Sequence, residues 1–319
     1  MANHAGDLTL LRQMFDIRHF EERIQTLFAD GHVRGTTHLA SGQEGVAVGA
    51  AAGLQDHDLV FCTYRGHHHC LARGMSMTAA FAEILGRSGG CCGGKGGSMH
   101  LTDAKLGLLG SYAIVGGHIP IAVGTAWASR ITGDGAVTCC FFGDGTTTIG
   151  SFHESLNLAA VWRLPIIFLC ENNGYSEYTR IEDVVPVKRP AADRASAYGL
   201  EPIVVDGNVV DDVHNAVAAA RRRAAAGEGP SLIEAVTYRH GGHSRADPAK
   251  YRPADEVAAW MLRDPIDLYV ARYDMSEAEV SDARACSFEA VASAANSALA
   301  SPEPEPDALL RDLYEGAGA

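Results

Sequence analysis

The chain has 319 residues, a net charge of −13 with His neutral, and 47% hydrophobic residues. That length is ample for a large core, and the acidic balance argues against a nucleic-acid surface. No apolar run reaches 18 residues and the opening MANHAGDLTLLRQMF lacks a signal-peptide pattern, so no membrane span is expected and a cytoplasmic protein is. The eight cysteines include no C-x-x-C, and Cys139, Cys140 and Cys170 fall in apolar runs. They read as reduced core thiols rather than as disulfides or zinc ligands.

In chain order, residues 8–29 place Leu11, Met14, Phe15, Ile17, Ile24, Leu27 and Phe28 at helical spacing, before Gly31. Residues 43–54 predict a helix of small side chains, GVAVGAAAG. Residues 59–63 predict a short strand running into Tyr64-Arg65-Gly66-His67-His68-His69. Three consecutive His cannot all face one ion from a regular strand or helix, and no carboxylate stands at ligand spacing, so a metal there is disfavoured. Arg65 beside a His at a strand end suits phosphate, which guanidinium binds through two oxygens; a solvated loop is the bland alternative. Residues 89–100, GGCCGGKGGSMH, nearly form a P-loop. Gly96 stands where Ser or Thr is required, and 81–87 looks helical rather than extended, so a flexible Gly-rich loop is the better reading. Residues 106–126 run from a loop into a small-residue helix after Pro120, and Gly133-Asp134-Gly135 reads as a turn.

The central stretch follows. Residues 137–142 are apolar and β-prone, then drop into Gly143-Asp144-Gly145. Residues 151–162 carry helical spacing, and Pro165 starts a second buried run, 166–170, ending in Glu171-Asn172-Asn173-Gly174. Strand, turn, helix and strand make a βαβ unit, whose parallel strands end on one edge of the sheet. Asp144 and Asn173, 29 positions apart, therefore meet where open α/β sheets bind ligands. A carboxylate, an amide oxygen and a backbone carbonyl near Tyr175 are hard oxygen donors, suited to Mg²⁺ completed by phosphate and water. Gly143 and Gly145 let the backbone approach a diphosphate, and the next helix N-terminus favours anions. An ordinary βα turn followed by an Asn-Gly turn is the alternative.

Beyond it, residues 179–194 predict an exposed loop, 203–205 a strand, 211–226 a helix and 231–237 another buried strand. That strand releases Arg239 and His243 on a Gly-rich segment able to reach the same edge. There a His can donate a proton or hold a diphosphate oxygen, or the loop is simply mobile. From residue 255 the chain predicts helices, then SPEPEP at 301–306 and a short last helix. The expectation is one α/β domain over 1–319, a doubly wound and mainly parallel sheet, with a helix in 1–32 and a helical tail over 255–319.

The words CFFGDG…SFHESLNLAAVWRLPIIFLCENNGY resemble the thiamine-diphosphate signature, and specifically the alpha subunits of two-chain dehydrogenases acting on pyruvate, branched-chain 2-oxo acids or acetoin. The likeness covers nearly the whole chain. It implies thiamine diphosphate and Mg²⁺, with Asp144, Asn173 and the Tyr175 carbonyl on the metal. It implies Tyr64, Arg65, Arg239 and the GDG glycines on the diphosphate, and Ala113 and Val115 beside the aminopyrimidine. His38, His67 and His243 match active-site positions, Ser244 matches a position phosphorylated in mitochondrial members, and GKGGSMH borders the active-site channel. It implies oxidative decarboxylation of a 2-oxo acid, pyruvate first, with acyl transfer to a lipoyl group on a partner acyltransferase, or else acetoin cleavage. The carboxylate that activates the aminopyrimidine has no match here: Glu44 and Glu154 are the acidic candidates and neither fits. A beta subunit is therefore expected to complete the site in an assembly of two alpha and two beta chains. Two departures stand out: Thr146-Thr147-Thr148-Ile149 follows GDG where a small residue, Asn and Gln are usual, and Thr36 replaces an aromatic. The first is the best support for a non-catalytic chain that kept the fold; an NAD oxidoreductase would need a G-x-G-x-x-G that is missing.

Overall fold

A computed structural model describes residues 7–310. Its elements run α1 (Leu8–Ala29), α2 (Glu44–Gly53), β1 (Leu59–Thr63), α3 (His67–Ala72), α4 (Met77–Ile84), β2 (Leu108–Tyr112), α5 (Ile119–Thr132), β3 (Thr138–Gly143), α6 (Gly150–Trp162) and β4 (Ile166–Asn172). A two-residue hairpin, β5 (Tyr175–Ser176) and β6 (Thr179–Arg180), leads to α7 (Ile181–Val184). Then come β7 (Pro202–Asp206), α8 (Val210–Ala225), β8 (Ser231–Val236), α9 (Ala254–Met261), α10 (Pro265–Arg272) and α11 (Glu277–Ala300).

Six strands form one sheet in the order β2-β1-β3-β4-β8-β7, and every neighbouring pair is parallel. Both faces are covered, which is why the central strands read as unbroken apolar runs. On β3, Cys139 and Phe141 enter one core while Cys140 and Phe142 enter the other. On β4, Ile167 and Leu169 alternate in the same way with Ile166, Phe168 and Cys170. The first core lies under α1, α2, α4, α8 and α11; the second lies under α5 and α6. From β1 the chain steps outward to β2, then returns past β1 to β3. The strand order reverses between β1 and β3, and a crevice opens at their carboxyl ends.

The small-residue helix α2 is spent inside the chain. A Cβ on Gly45 would lie 2.6 Å from the Gly207 carbonyl, and one on Gly49 would lie 2.5 Å from the Val210 carbonyl, so only glycine lets α8 approach. α5 is different: Ile121, Trp127 and Ile131 stay exposed beside Leu158, Val161 and Trp162 of α6, with the two indoles 5.5 Å apart. α1 is tied to α2 and α10 through Arg18, which pairs with Glu44 (2.6 Å) and Asp264 (2.9 Å).

Three expectations need correction. Residues 106–126 are not loop up to the helix, because Leu108–Tyr112 pairs with β1 as an edge strand. The stretch expected as exposed loop, 179–194, is partly internal: buried Glu234 accepts the Ala191 and Ala192 backbone N–H groups at 3.0 and 2.8 Å. At the tail, Pro306–Leu310 form a 3₁₀ turn, and the rest of the expected last helix lies outside the described residues.

Candidate active site

The crevice holds a cavity of about 470 Å³, and five of the six sheet strands deliver residues to it from their carboxyl ends. β1 brings Tyr64 and Arg65, β2 brings Ala113 and Val115, β3 brings Gly143, Asp144 and Gly145, β4 brings Asn173 and Tyr175, and β8 brings Arg239 and His243. His38 enters from the loop before α2. All these residues, singled out from the sequence, line one cavity.

His67 does not. It is fully buried on α3 with Nδ1 3.0 Å from a Glu21 carboxylate oxygen and Nε2 2.9 Å from the Ser98 hydroxyl. With both ring nitrogens engaged away from the cavity, it is a packing and hydrogen-bonding residue, and its reading as a catalytic histidine is withdrawn. Glu44 is held by Arg18 and Glu154 is exposed, so neither reaches the cavity.

One side of the cavity is acidic. Asp144 is buried, and its carboxylate accepts the backbone N–H groups of Gly145 (2.7 Å) and Gly174 (2.9 Å). The second bond joins the β3 and β4 tips directly. Burial nevertheless pushes the Asp144 carboxyl up to about 6, against those bonds and the Arg239 charge. Asn173 turns its amide nitrogen to Gln43 (3.4 Å) and its oxygen to the Tyr175 N–H (3.3 Å). A Cβ on Gly145 would lie 2.5 Å from the Ser176 hydroxyl, so the GDG turn seats against the β5 hairpin only as glycine.

The other side is basic. Arg65 and Arg239 are buried together. Burial and the Arg239 charge lower Arg65 to about 10, still cationic at neutral pH. Arg65 donates to the carbonyls of Leu39 and of His243, the latter at 2.7 Å. Arg239 donates to the Glu177 carbonyl at 2.9 Å through Nη2, while its buried Nη1 has no partner. His38, Tyr64 and His243 cluster alongside in tilted and edge-to-face contact, with ring centroids 4.4 Å (His38–Tyr64) and 4.9 Å (His38–His243) apart. Burial, then Arg65, lowers His38 to about 3 and His243 to about 4, so both imidazoles are neutral at neutral pH. The loop carrying His243 is well tied: the Asp247 carboxylate accepts the His243 and Ala249 N–H groups and the Tyr251 hydroxyl.

This donor set suits a diphosphate carrying a hard cation. A carboxylate lifted by desolvation gains from a cation, two adjacent buried guanidiniums gain from an anion, and an orphaned Nη1 needs an acceptor. The open space around Gly143 leaves room beside them.

The Thr run after GDG keeps the turn intact by other means. The Thr147 and Thr148 hydroxyls cap the carbonyls of Asp144 and Gly145 at 2.8 and 2.9 Å, while Thr146, Thr148 and Ile149 line the cavity wall. Thr36, the other departure, is exposed outside the lining.

Sequence reading missed Glu171 and Gln43 on the cavity floor. Glu171 accepts from Gln43 Nε2 (3.1 Å), and His68 and His69 reach it at 2.9 and 3.1 Å. Burial drives the Glu171 carboxyl up, but His69 and His68 overcome it and hold it below the usual carboxylate range. The two histidines thus serve a carboxylate about a hundred positions away. The Gly-rich loop is likewise closed from within: buried Glu83 accepts four backbone N–H groups, from Cys92, Gly94, Gly96 and Gly97, at 2.6 to 3.1 Å. The cradle that mimics a P-loop is filled by the chain's own anion, and of residues 89–100 only Met99 lines the cavity.

The sequence profile of the dehydrogenase E1 component matches residues 12–307. The chain belongs to that family. It is 41% identical over 310 residues to the alpha subunit of the acetoin:2,6-dichlorophenolindophenol oxidoreductase of Bacillus subtilis, covering 96% of this chain and 93% of the relative. It is 40% identical over 317 residues to the corresponding subunit of Cupriavidus necator, at the same coverage. It is 38% identical over 312 residues to the pyruvate dehydrogenase E1 component subunit alpha of Rhizobium meliloti, covering 96% and 89%.

Proposed function

We propose that the chain is the alpha subunit of a thiamine-diphosphate-dependent dehydrogenase component that decarboxylates a 2-oxo acid oxidatively, pyruvate first, and passes the acyl group to a lipoyl group on a partner acyltransferase. The observation that carries this is the meeting of Asp144 and Asn173 across two strand tips, opposite Arg65 and Arg239, in one cavity. Asp144, Asn173 and the Tyr175 carbonyl hold Mg²⁺; Tyr64, Arg65, Arg239 and the backbone of Gly143 and Gly145 hold the diphosphate; Ala113 and Val115 border the aminopyrimidine. When bound, the cofactor supplies the carbanion chemistry that opens a bond next to a carbonyl. The chain's part is to neutralise the phosphates, exclude water and keep two neutral imidazoles, His38 and His243, available for proton transfer at the mouth. An anion beside His243 raises its affinity for a proton, since Arg65 and Arg239 are then offset.

The Val115 end supports a partner. Ile114 and Val115 are exposed there. A beta subunit supplying the carboxylate that activates the aminopyrimidine, in a heterotetramer, fits this opening and the bare apolar strip on α5 and α6. A single diphosphate-binding unit over 1–319, working in the cytoplasm, completes the reading; no described helix is long and apolar enough to cross a membrane.

Acetoin cleavage is the second reading, supported by two acetoin subunits that match 96% of this chain at 41% and 40% identity. Assaying carbon dioxide release from pyruvate against acetoin cleavage, with the chain and its beta partner together, decides between them. Failure of the chain to bind thiamine diphosphate with Mg²⁺ would remove both readings.

A further inference from the structure

The Gly-rich loop carries two adjacent thiols that the cavity does not use. Cys91 and Cys92 Sγ atoms lie 3.9 Å apart, both half-buried, on a backbone pinned by Glu83 through the Cys92, Gly94, Gly96 and Gly97 N–H groups. Cys92 Sγ is also 3.3 Å from the His100 carbonyl. A Glu83 carboxylate oxygen lies within 4.8 Å of both sulfurs, but the two oxygens already accept those four N–H groups, which leaves the carboxylate committed to the loop backbone. The remaining chemistry of the pair is that of a dithiol.

We propose that Cys91 and Cys92 form a hydroperoxide-reactive modification site that closes reversibly into a vicinal disulfide. The Cys92 thiolate attacks the peroxide, the O–O bond breaks, and Cys92 becomes a sulfenic acid while hydroxide leaves. The Cys91 thiol then attacks that sulfur, an S–S bond forms, and water leaves. The peroxide is reduced by two electrons and the two thiols are oxidised by two. The geometry assigns the roles. Cys91 packs against the core and resolves, whereas Cys92 stands at the loop surface. The hydrogen bond from Cys91 lowers the Cys92 thiol to about 7, which makes it the nucleophile near neutral pH. Adjacent Cα atoms lie about 3.8 Å apart, below the usual disulfide span of about 4.4–6.8 Å. The closed ring is therefore strained and easily reduced, as a reversible device requires. Gly93, at φ +68 with only the Lys95 side chain near its Cβ position at 3.7 Å, is the natural place for the loop to give. Seven positions on from Cys92, at the end of the 3₁₀ turn Gly97–Met99, the same loop places Met99 in the cavity wall.

The test treats the full-length chain with hydrogen peroxide near neutral pH, blocks remaining thiols under denaturing conditions, and maps peptides by mass. The expected product is a 91–92 peptide lighter by two hydrogens and closed to alkylation, which recovers two alkyl groups after dithiothreitol. Its rate should exceed that of an ordinary exposed thiol by about tenfold, the ratio of thiolate fractions near neutral pH. Cys91→Ser should leave a sulfenic acid on Cys92 that dimedone traps, and Cys92→Ser should leave Cys91 unreacted. An independent arm uses phenylarsine oxide, which wild type should retain through two sulfurs and each single variant should release. Oxidation of Cys286 while both loop thiols stay reduced would overturn the proposal. So would a mixed disulfide to another cysteine, or sulfenic acid trapped on Cys91 in the Cys92→Ser variant.

Discussion

Asp144 offers a prediction that does not depend on turnover. Its carboxyl rises from an ordinary 3.8 to about 6 because burial outweighs the backbone bonds it accepts. That rise corresponds to about 3 kcal/mol, at ~1.36 kcal/mol per pH unit. The folded value is the higher one, so between pH 4 and 6 the folded chain keeps a proton that the unfolded chain releases. The contribution of the neutral acid is present in full below about 3.8 and is lost as pH rises through about 6. Asp144→Asn removes the titration. The amide also loses one of the two backbone bonds, a constant offset that cancels when only the pH dependence is compared. Urea unfolding of the metal-free chain from pH 4 to 8 should therefore show the difference, wild type minus variant, falling by about 2.4 kcal/mol, because the unfolded carboxyl is already more than half ionised at pH 4, and then levelling above pH 7. Mg²⁺ with thiamine diphosphate at pH 7.5 should raise wild-type stability and leave the variant unmoved. A difference that stays constant with pH would refute the reasoning, because Asp144 would then carry no desolvation cost for a cation to relieve.

Arg239→Met should weaken diphosphate binding by about 30- to 100-fold, the loss of roughly 2–3 kcal/mol of charge-assisted hydrogen bonding, as read by calorimetry. His67→Gln should cost about 1–3 kcal/mol of stability by leaving Glu21 or Ser98 unpaired, yet leave diphosphate affinity unchanged; a selective loss of affinity would return His67 to the site. Glu83→Gln should destabilise the chain by about 3–5 kcal/mol in urea, since an amide cannot accept four converging N–H groups, while the cavity residues keep their places. An unaffected midpoint would mean the loop does not depend on that carboxylate.

The parts of this molecule that a sequence discloses are those with local signals. The β3 and β4 runs, the GDG and ENNG turns and the Arg239 segment each announce themselves within a few residues, and parallel topology then brings their ends together. The edge strand β2 was hidden because LLGSY is short and contains Gly110, which β-propensity disfavours. Glu171 was hidden for another reason. Its partners His68 and His69 lie far away in sequence, and a buried carboxylate in an apolar strand has no periodic signature. The same distance misled the reading of His67, whose motif position suggested chemistry while its ring is consumed by Glu21 on α1. Gly-rich spacing at 89–100 read as a flexible loop, and only the fold reveals that Glu83 pins it from within through four backbone N–H groups. Composition alone cannot say which side of a small-residue helix is free: α2 is sealed against α8, and α5 is bare.

The sharpest single measurement is calorimetric titration of thiamine diphosphate into the folded chain with its beta partner, with and without Mg²⁺, for wild type, Asp144→Ala and Asn173→Ala. Wild type should bind only when the metal is present, and both variants should fail to bind while unfolding as cooperatively as before. Metal-dependent binding that survives either substitution would contradict the shared strand-tip site.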